Sequence, residues 1–250
     1  MKKRLLSGLL SLALCLSLLP TAALAADTSH DISQRQLIIS QNGDYTITGT
    51  TEANNIVVKS GVKATITLSD VNIDLSDKTS WEDGSAIDIA EGANVTLILS
   101  EDTSTSLKSS KNWPGIHLPS GATLTIQGSG SLNVTGGTNG TGPGSPGIGG
   151  KYMTAPYESE SCGIVIIKEG NITVTGGLGE LDGELGAGIG GGAATATGKA
   201  GDGGTVLILC NTVTIRGNPD IGGGMGSIGN LNGAAGQGIK PSGNNTYEVY

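Results

Sequence analysis

Short runs in which aliphatic and polar residues alternate recur along the chain. Ala64 to Leu68 reads ATITL, and Thr123 to Ile126 reads TLTI. Alternation with a period of two is typical of a β-strand that buries one of its faces. After the N-terminal segment, no stretch shows an apolar stripe of helical period with helix caps. The pattern therefore predicts an all-β fold.

The strands belong to a repeat with a fixed period in the C-terminal half of the chain. Ile164 to Gly176 aligns without a gap on Thr205 to Gly217, at an offset of 41 residues. The same offset places Gly147–Gly150 on Gly188–Gly191, and both segments read GIGG. Two separate landmarks therefore agree on one period, which indicates a repeat architecture.

A looser form of the unit recurs earlier. Its central glycines, Gly61, Gly92 and Gly121, are 31 and 29 residues apart. Each unit has a strand, a glycine corner, a second strand and often a third. We predict a single-stranded parallel β-helix, or β-solenoid, of about five to seven coils over residues 54–250, after a cap at 26–53. A propeller or sandwich is the alternative, but its hairpins would favour Asn-Gly or Asp-Gly turns.

Glycine runs interrupt the strand pattern. Gly186 to Gly192 reads GAGIGGG, and related runs occur at Gly147–Gly150 and Ile221–Gly224. Glycine gives up more conformational freedom on folding than any other residue, so such runs need a structural reason. Buried glycine strands and exposed loops are both compatible with the sequence.

The first residues have the pattern of a secretory signal peptide. Lys2, Lys3 and Arg4 precede an apolar run from Leu5 to Leu19, and Ala23-Leu24-Ala25 follows. We expect residues 1–25 to be removed by cleavage after Ala25. The apolar run contains serines and a glycine and is short for a membrane span. The protein is therefore expected to be secreted or held at a bacterial cell surface, without membrane insertion after cleavage.

Composition and charge narrow the picture further. Without Lys2, Lys3 and Arg4 the chain has 11 basic and 22 acidic residues, a net charge of −11. Nucleic acids and anionic lipid surfaces attract basic clusters, so both are excluded as expected partners. The chain has 43 glycines and no phenylalanine. Its core must therefore be built from aliphatic stacks in a narrow interior.

The few aromatic residues suggest a sugar-binding edge. Trp81, Trp113, Tyr152 and Tyr157 fall at junctions between units. If coils stack in register, their rings could form a row on which the C–H faces of sugars stack. The competing interpretation is that each ring covers a loop or the solenoid wall, since scattered surface aromatics are normal.

Acidic residues in glycine-rich loops raise the question of a metal site. Asp182, Glu184 and Asp202 offer oxygen ligands of the kind that Ca²⁺ prefers. Gly176 to Asp182 approaches a calcium-binding nonapeptide, but its aspartate falls one place late and the pattern does not repeat. We therefore expect solvated turn carboxylates and no cofactor, and keep Ca²⁺ as the alternative.

No catalytic constellation is visible in the sequence. A glycosidase needs two carboxylates across a cleft, and nothing pairs Asp70, Asp74, Asp88 or Glu91. His117 has no Ser-His-Asp pattern around it, so a structural role is expected for it. A polysaccharide lyase or other glycan-active enzyme on the same scaffold is the alternative function.

A regular threonine ladder would indicate an ice or mineral binder. The pairs Thr65/Thr67 and Thr123/Thr125 fit such a ladder. Thr96 is followed by Ile98, however, and this breaks it.

Cys162 and Cys210 are the two cysteines that follow the predicted signal peptide. By the offset of 41 residues, Cys210 occupies the place of Glu169, so the cysteines lie one coil and seven positions apart. Seven strand residues span about 20 Å, whereas a disulfide needs Cα atoms within about 7 Å. We predict two free thiols in apolar core or corner positions.

Longer motifs carry a family resemblance. Gly115–Gly137 has the form GIxxPxGxxLTIxGxGxLxVTGG; GIGG at Gly147–Gly150 follows, then a Cys-Gly strand unit over Cys162–Gly177. The pattern continues at Gly188–Gly192 and Gly204–Gly217. These motifs resemble glycine-rich β-helix repeat surface proteins of gut Firmicutes, described as carbohydrate-binding or right-handed parallel β-helix repeat proteins.

The resemblance covers about residues 54–250 and implies a right-handed coil and a carbohydrate ligand. We therefore expect an exported, non-catalytic, structural or adhesive protein that contacts a plant or host polysaccharide. In this family the segment that resembles 238–250 is often followed by further domains. The chain thus resembles either a short secreted member or an incomplete one.

Overall fold

The computed structural model describes residues 28–79, 84–140, 142–153, 157–180, 183–194, 198–226, 232–243 and 246–249. The fold is all-β, with parallel strands in two curled sheets. This confirms the predicted fold class at that level.

The large sheet has 13 strands. They are β1 (Thr28–Asp31), β3 (Gly43–Thr51), β5 (Lys63–Asp74), β7 (Asn94–Leu99), β8 (Ser104–Lys108), β10 (Thr123–Gln127), β11 (Ser131–Thr135), β13 (Ile164–Ile167), β14 (Asn171–Thr175), β16 (Thr205–Ile208), β17 (Val213–Arg216), β19 (Gln237–Gly243) and β20 (Thr246–Val249).

The small sheet has seven strands. They are β2 (Leu37–Ile39), β4 (Ile56–Val58), β6 (Ile87–Ile89), β9 (Ile116–His117), β12 (Ile148–Gly149), β15 (Ile189–Gly190) and β18 (Ile221–Gly222).

Each strand pairs in parallel with the equivalent strand of the next repeat. Ile164 lies opposite Thr205, and Ile148 lies opposite Ile189, which confirms the offset of 41 residues in two different strands. The last pair in the large sheet, β19 with β20, is antiparallel. This arrangement is consistent with the predicted solenoid, and the right-handed coil stays a prediction.

The repeats present three walls. The first wall contains β7, β10, β13, β16 and β19, the second contains β8, β11, β14 and β17, and the third is the small sheet. The long strand β5 joins the first two walls, because its first half pairs with β7 and its second half with β8. The small sheet has one strand per repeat, and six of its strands lie within the described part of residues 54–250, inside the predicted range of five to seven. The seventh, β2, lies in the segment predicted as a cap.

Inward-facing residues stack in columns along the repeats. In the third wall Ile56, Ile87, Ile116, Ile148 and Ile189 lie opposite one another in successive strands. All five are 0% exposed. Burial of a large aliphatic side chain contributes about 1.5–3 kcal/mol. The predicted core of aliphatic stacks is therefore confirmed.

The glycine corners have the backbone conformation that favours glycine. Gly61, Gly92 and Gly121 have φ angles of +73°, +77° and +85°. Residues with a Cβ are strained in this left-handed region. The three glycines that mark the early repeat therefore mark true corners.

The run GAGIGGG is buried along its whole length. Its strand β15 lies between β12 and β18, with Gly190 opposite both Gly149 and Gly222. A Cβ on Gly190 would lie 1.8 Å from the carbonyl oxygen of Gly222. The question left open by the sequence is thus answered: glycine is needed here because neighbouring backbones approach closely.

The segment predicted as a cap, residues 26–53, contains β1, β2 and β3. β2 pairs in parallel with β4, and β3 pairs in parallel with β5. Within the described residues there is no apolar helix of membrane-spanning length.

Candidate functional site

His117 is the centre of a polar cluster on the outer side of the third wall. It lies at the end of β9, opposite Asp88 in β6, and its side chain is 11% exposed. Its Nδ1 lies 2.7 Å from Oδ1 of Asp88, and its Nε2 lies 2.6 Å from Oε2 of Glu160. The backbone N–H of Lys151 donates a further hydrogen bond to Oε2 of Glu160, at 3.2 Å. Segments from three successive repeats therefore meet at one imidazole.

The two carboxylates hold this imidazole in its charged form. Burial alone would lower the pKa of His117, but the hydrogen bonds and negative charges of Asp88 and Glu160 outweigh it and raise the pKa to about 9. Burial raises the pKa of Glu160, yet the hydrogen bond and charge of His117 outweigh this effect and lower it. His117 is therefore an imidazolium at neutral pH.

Trp113 lies beside this cluster, in the loop before β9. Its ring meets that of His117 edge to face, with centroids 6.1 Å apart and an interplanar angle of 87°. The ammonium group of Lys151 lies 3.5 Å from the centroid of the Trp113 ring. A cation at this distance is attracted to the π-face. One face of the tryptophan thus holds an ammonium group rather than an open platform for sugar.

This cluster is a clamp, in which the side chain of His117 holds the carboxylates of Asp88 and Glu160 together. Both imidazole nitrogens donate to carboxylates, so His117 has no nitrogen left to accept a proton from a substrate. A glycosidase acid needs a raised pKa, whereas the pKa of Glu160 is lowered. Asp88 and Glu160 are instead joined through one cation across neighbouring repeats.

The aromatic residues predicted to form a sugar-binding edge differ in exposure where the structure describes them. Trp81 lies outside the described residues. Tyr152 is 1% exposed, so its ring offers no face to a ligand, which corrects its assignment to a sugar-binding edge. Tyr157 is 64% exposed, and Trp113 is half-buried. Ser159 donates a hydrogen bond to the carbonyl of Ala193, in the next repeat.

The calcium candidates are engaged in loop structure where they are described. Oδ1 of Asp202 accepts a hydrogen bond from the N–H of Ala234 at 2.8 Å and lies 3.8 Å from Nζ of Lys199. The carbonyl of Glu184 accepts hydrogen bonds from two backbone N–H groups, and Asp182 lies outside the described residues. In the part of the chain that the structure describes, no three His, Cys, Asp or Glu side chains are grouped as metal ligands.

Cys162 and Cys210 are both free thiols, the first buried and the second half-buried. Burial raises the pKa of Cys162 to about 12, although the backbone N–H groups of Gly204 and Gly163 oppose this effect. The thiolate is the reactive form of cysteine, so Cys162 is held in an unreactive state.

We expect a maleimide to label Cys210 in the native protein and Cys162 only after unfolding. The measurement is a time course of labelling at each cysteine by mass spectrometry, with Cys210→Ser as the control that removes the fast site. Equal labelling rates at the two thiols in native protein would contradict the burial of Cys162.

A groove on the outer face of the first wall is the second candidate surface. Its volume is about 700 Å³, within the range typical of ligand sites. Its lining is mainly polar and comes from five adjacent strands or their ends. The lining residues are Asp44, Tyr45, Thr46, Thr65, Thr67, Thr96, Ile98, Gln127 and Lys168.

The hydroxyl groups of this groove follow the register of the sheet. Thr46 lies opposite Thr67, and Thr65 lies opposite Thr96. Parallel strands are about 4.8 Å apart, so outward-facing side chains repeat at that spacing across the wall. A threonine hydroxyl both donates and accepts hydrogen bonds, as sugar hydroxyls do. The groove therefore presents regularly spaced partners for a polyhydroxylated ligand.

Three of the four threonines of this groove, Thr65, Thr67 and Thr96, were identified from the sequence, but were considered as part of an ice- or mineral-binding ladder. The ladder was expected to break at Ile98, and the structure places Ile98 opposite Thr67. An interrupted ladder excludes a continuous ice-like lattice, but it does not exclude a groove of mixed hydroxyl, amide and amine groups. Alternation in the second strand of each unit, the one that follows the glycine corner, was the signal that identified these outward positions.

Comparison with known proteins gives one family finding. Residues 33–144 match the family model described as "Carbohydrate-binding domain-containing protein". No curated protein and no solved structure matches the chain. The matched segment contains Trp113, His117 and every lining residue of the groove except Lys168. The match supports carbohydrate binding and therefore glycan partners.

Proposed function

We propose that this protein is an exported, non-catalytic carbohydrate-binding protein of the bacterial surface, and that the groove on the first wall holds the glycan. The observation that carries the proposal is the family match over residues 33–144, which includes eight of the nine groove residues. A plant or host polysaccharide is the expected partner, and an adhesive role follows from a binding surface on a stacked scaffold.

The composition of the groove supports a neutral stretch of glycan. Lys168 and Asp44 bring one positive and one negative charge to its lining, and the remaining polar groups are hydroxyls and an amide. Neutral hydrogen-bonding groups suit sugar hydroxyls, and the half-buried ring of Tyr45 adds an aromatic surface at one end. The groove is thus matched to hydroxyl recognition rather than to dense charge.

Three of the four carboxylates considered as catalytic candidates have structural partners, which supports a binding function. Asp74 forms an ion pair with Lys108 at 2.8 Å, and Asp70 accepts a hydrogen bond from the N–H of Ser104 at 3.0 Å. Asp88 is engaged by His117. Each of these carboxylates is bound to a residue of a neighbouring strand. The groove lining contains one carboxylate, Asp44, whereas glycoside hydrolysis needs a pair.

Replacing Thr65, Thr67 and Thr96 together by valine is expected to weaken glycan binding at least about tenfold. Valine keeps the shape and the strand preference but removes three hydroxyl groups, each of which contributes about 0.5–1.5 kcal/mol through hydrogen bonds. The measurement is affinity electrophoresis against a panel of plant and host polysaccharides, followed by calorimetry on the best ligand.

The matched control is Thr173→Val with Thr175→Val, since these threonines are also half-buried and face outward on the second wall. The control is expected to bind like wild type, and so is Trp113→Ala. Loss of binding in Trp113→Ala with retention in the groove variant would place the glycan at the His117 cluster instead. An assay at about 235 nm for unsaturated uronates tests catalysis, and turnover would contradict the proposed function.

A further inference from the structure

The first wall changes character along the repeats. In β10 its outward positions are Thr123 and Thr125, and the positions opposite them in β13 are Ile164 and Ile166. The aliphatic character continues, because Leu207 lies opposite Ile166, and Ile239 lies opposite Leu207. The row that begins at Thr125 is thus aliphatic from Ile166 onward, whereas the row through Ile164 continues with the exposed polar residues Thr205 and Gln237. The half of the wall that carries this aliphatic row is the aliphatic half.

This aliphatic half is accessible. Ile164 and Leu209 are each 43% exposed and Ile239 is 39% exposed, whereas Ile166 and Leu207 are half-buried between them. These five residues form the aliphatic patch. Of the six exposed large hydrophobic residues in the described part of the chain, three belong to it. Contiguous exposed apolar surface on a soluble protein commonly marks an interaction site.

Charges at the rim of the aliphatic patch indicate what covers it. Lys168 and Glu169 are adjacent and exposed, and they follow β13 directly, where the N–H of Leu209 donates to the carbonyl of Ile167. Both also line a second depression of about 640 Å³, together with Ile98, Gln127 and Gly128 on the side of the groove. Neither forms an ion pair within the described residues. In a two-fold interface each surface meets its own copy, so a neighbouring pair of opposite charges is complementary to itself. Lys168 of one copy then faces Glu169 of the other.

We propose that two copies of this chain pair face to face through the aliphatic patch, with Lys168 and Glu169 forming reciprocal ion pairs at its rim. An outward sheet face can pack on another sheet face at about 10 Å, and interdigitating aliphatic side chains fill such a layer. The groove carries its threonines on the other half of the same wall. Lys168 also lines the end of the groove, so the pairing brings two glycan grooves into one particle with that end of each groove beside the interface. The proposal rests on the aliphatic patch and not on the proposed function.

The test is sedimentation velocity over a dilution series of the purified protein. Wild type is expected to shift from monomer to dimer as its concentration rises. Leu209→Lys is expected to raise the dissociation constant more than about tenfold, because it buries a charge against the aliphatic patch of the second copy. The matched control is Leu178→Lys, since Leu178 is 50% exposed and lies outside the patch. Circular dichroism and unfolding of each variant exclude a folding defect.

A charge exchange gives a second and independent result. Lys168→Glu places like charges opposite each other and is expected to weaken the dimer roughly tenfold. The double variant Lys168→Glu with Glu169→Lys restores opposite charges in a two-fold pair and is expected to restore the dimer. Monomer at every wild-type concentration overturns the proposal, and so does a dimer that Leu209→Lys leaves intact. The Thr65/Thr67/Thr96 variant is expected to dimerise like wild type even when its glycan binding is lost. Failure of the glycan-binding proposal is thereby distinguishable from failure of the dimer proposal.

Discussion

Gly190→Ala is expected to lower the free energy of unfolding by about 3 kcal/mol, at the upper end of the range for overpacking a filled core. A Cβ at this position would lie 1.8 Å from the carbonyl oxygen of Gly222 and 3.2 Å from Cβ of Ala187. The obstacle is backbone of the next repeat, so it cannot be relieved by rotation of a side chain. The measurement is urea unfolding followed by circular dichroism.

Gly61→Ala is the control that separates space from backbone conformation. Gly61 has a φ angle of +73°, and a Cβ there would meet no atom within 4 Å. Its substitution is expected to cost about 1 kcal/mol from left-handed strain alone. If Gly190→Ala were no more destabilising than Gly61→Ala, the close backbone approach at β15 would be refuted.

The second large effect concerns His117 and pH. Its pKa is raised from the ordinary value of 6.5 to about 9 in the folded protein. A folded pKa above the unfolded one stabilises the fold fully below pH about 6.5, and this contribution is lost as pH rises through about 9. The shift corresponds to about 3 kcal/mol. We expect the free energy of unfolding of wild type to decline over this interval.

His117→Ala is expected to be destabilising at pH 6, because it leaves Asp88 and Glu160 without their shared cation. It is also expected to remove most of the decline in the free energy of unfolding between pH 6.5 and 9, because the group that titrates in this interval is gone. The matched control is His30→Gln, since His30 hydrogen-bonds the carbonyl of Arg35 rather than a carboxylate. Urea midpoints measured across the pH range supply both comparisons. An unchanged pH dependence in His117→Ala would show that the clamp does not stabilise the fold.

The sequence predicted those features that depend on local pattern. The alternation in Ala64–Leu68 corresponds to part of strand β5, and the offset between Ile164 and Thr205 corresponds to the register between β13 and β16. In stacked repeats each residue lies opposite its counterpart in the next repeat. The corner glycine Gly92 was identifiable for the same reason. The repeat offset in the sequence therefore predicts which residues lie opposite each other in neighbouring strands.

The polar cluster could not be predicted, because its members do not share a period. Asp88 lies 29 residues before His117 and Glu160 lies 43 residues after it. The first separation matches the local repeat, but Glu160 reaches His117 from a loop that leaves the third wall after β12. Tyr152 lies in the same segment, where the period gave no signal that its ring would be buried. Contacts made by the segments between the walls therefore cannot be predicted from the repeat period.

The changing length of the repeat has a consequence for how this molecule could diversify. Successive repeats are offset by 31 residues at Ile56, 29 at Ile87 and 41 at Ile148, yet these isoleucines stay opposite their partners. Insertions are thus absorbed between the walls and leave the rows on each wall unchanged. The loops can change in length and sequence without a change in the groove residues, and the groove residues can be substituted without a change in the loops. The fold offers two surfaces that are free to evolve independently.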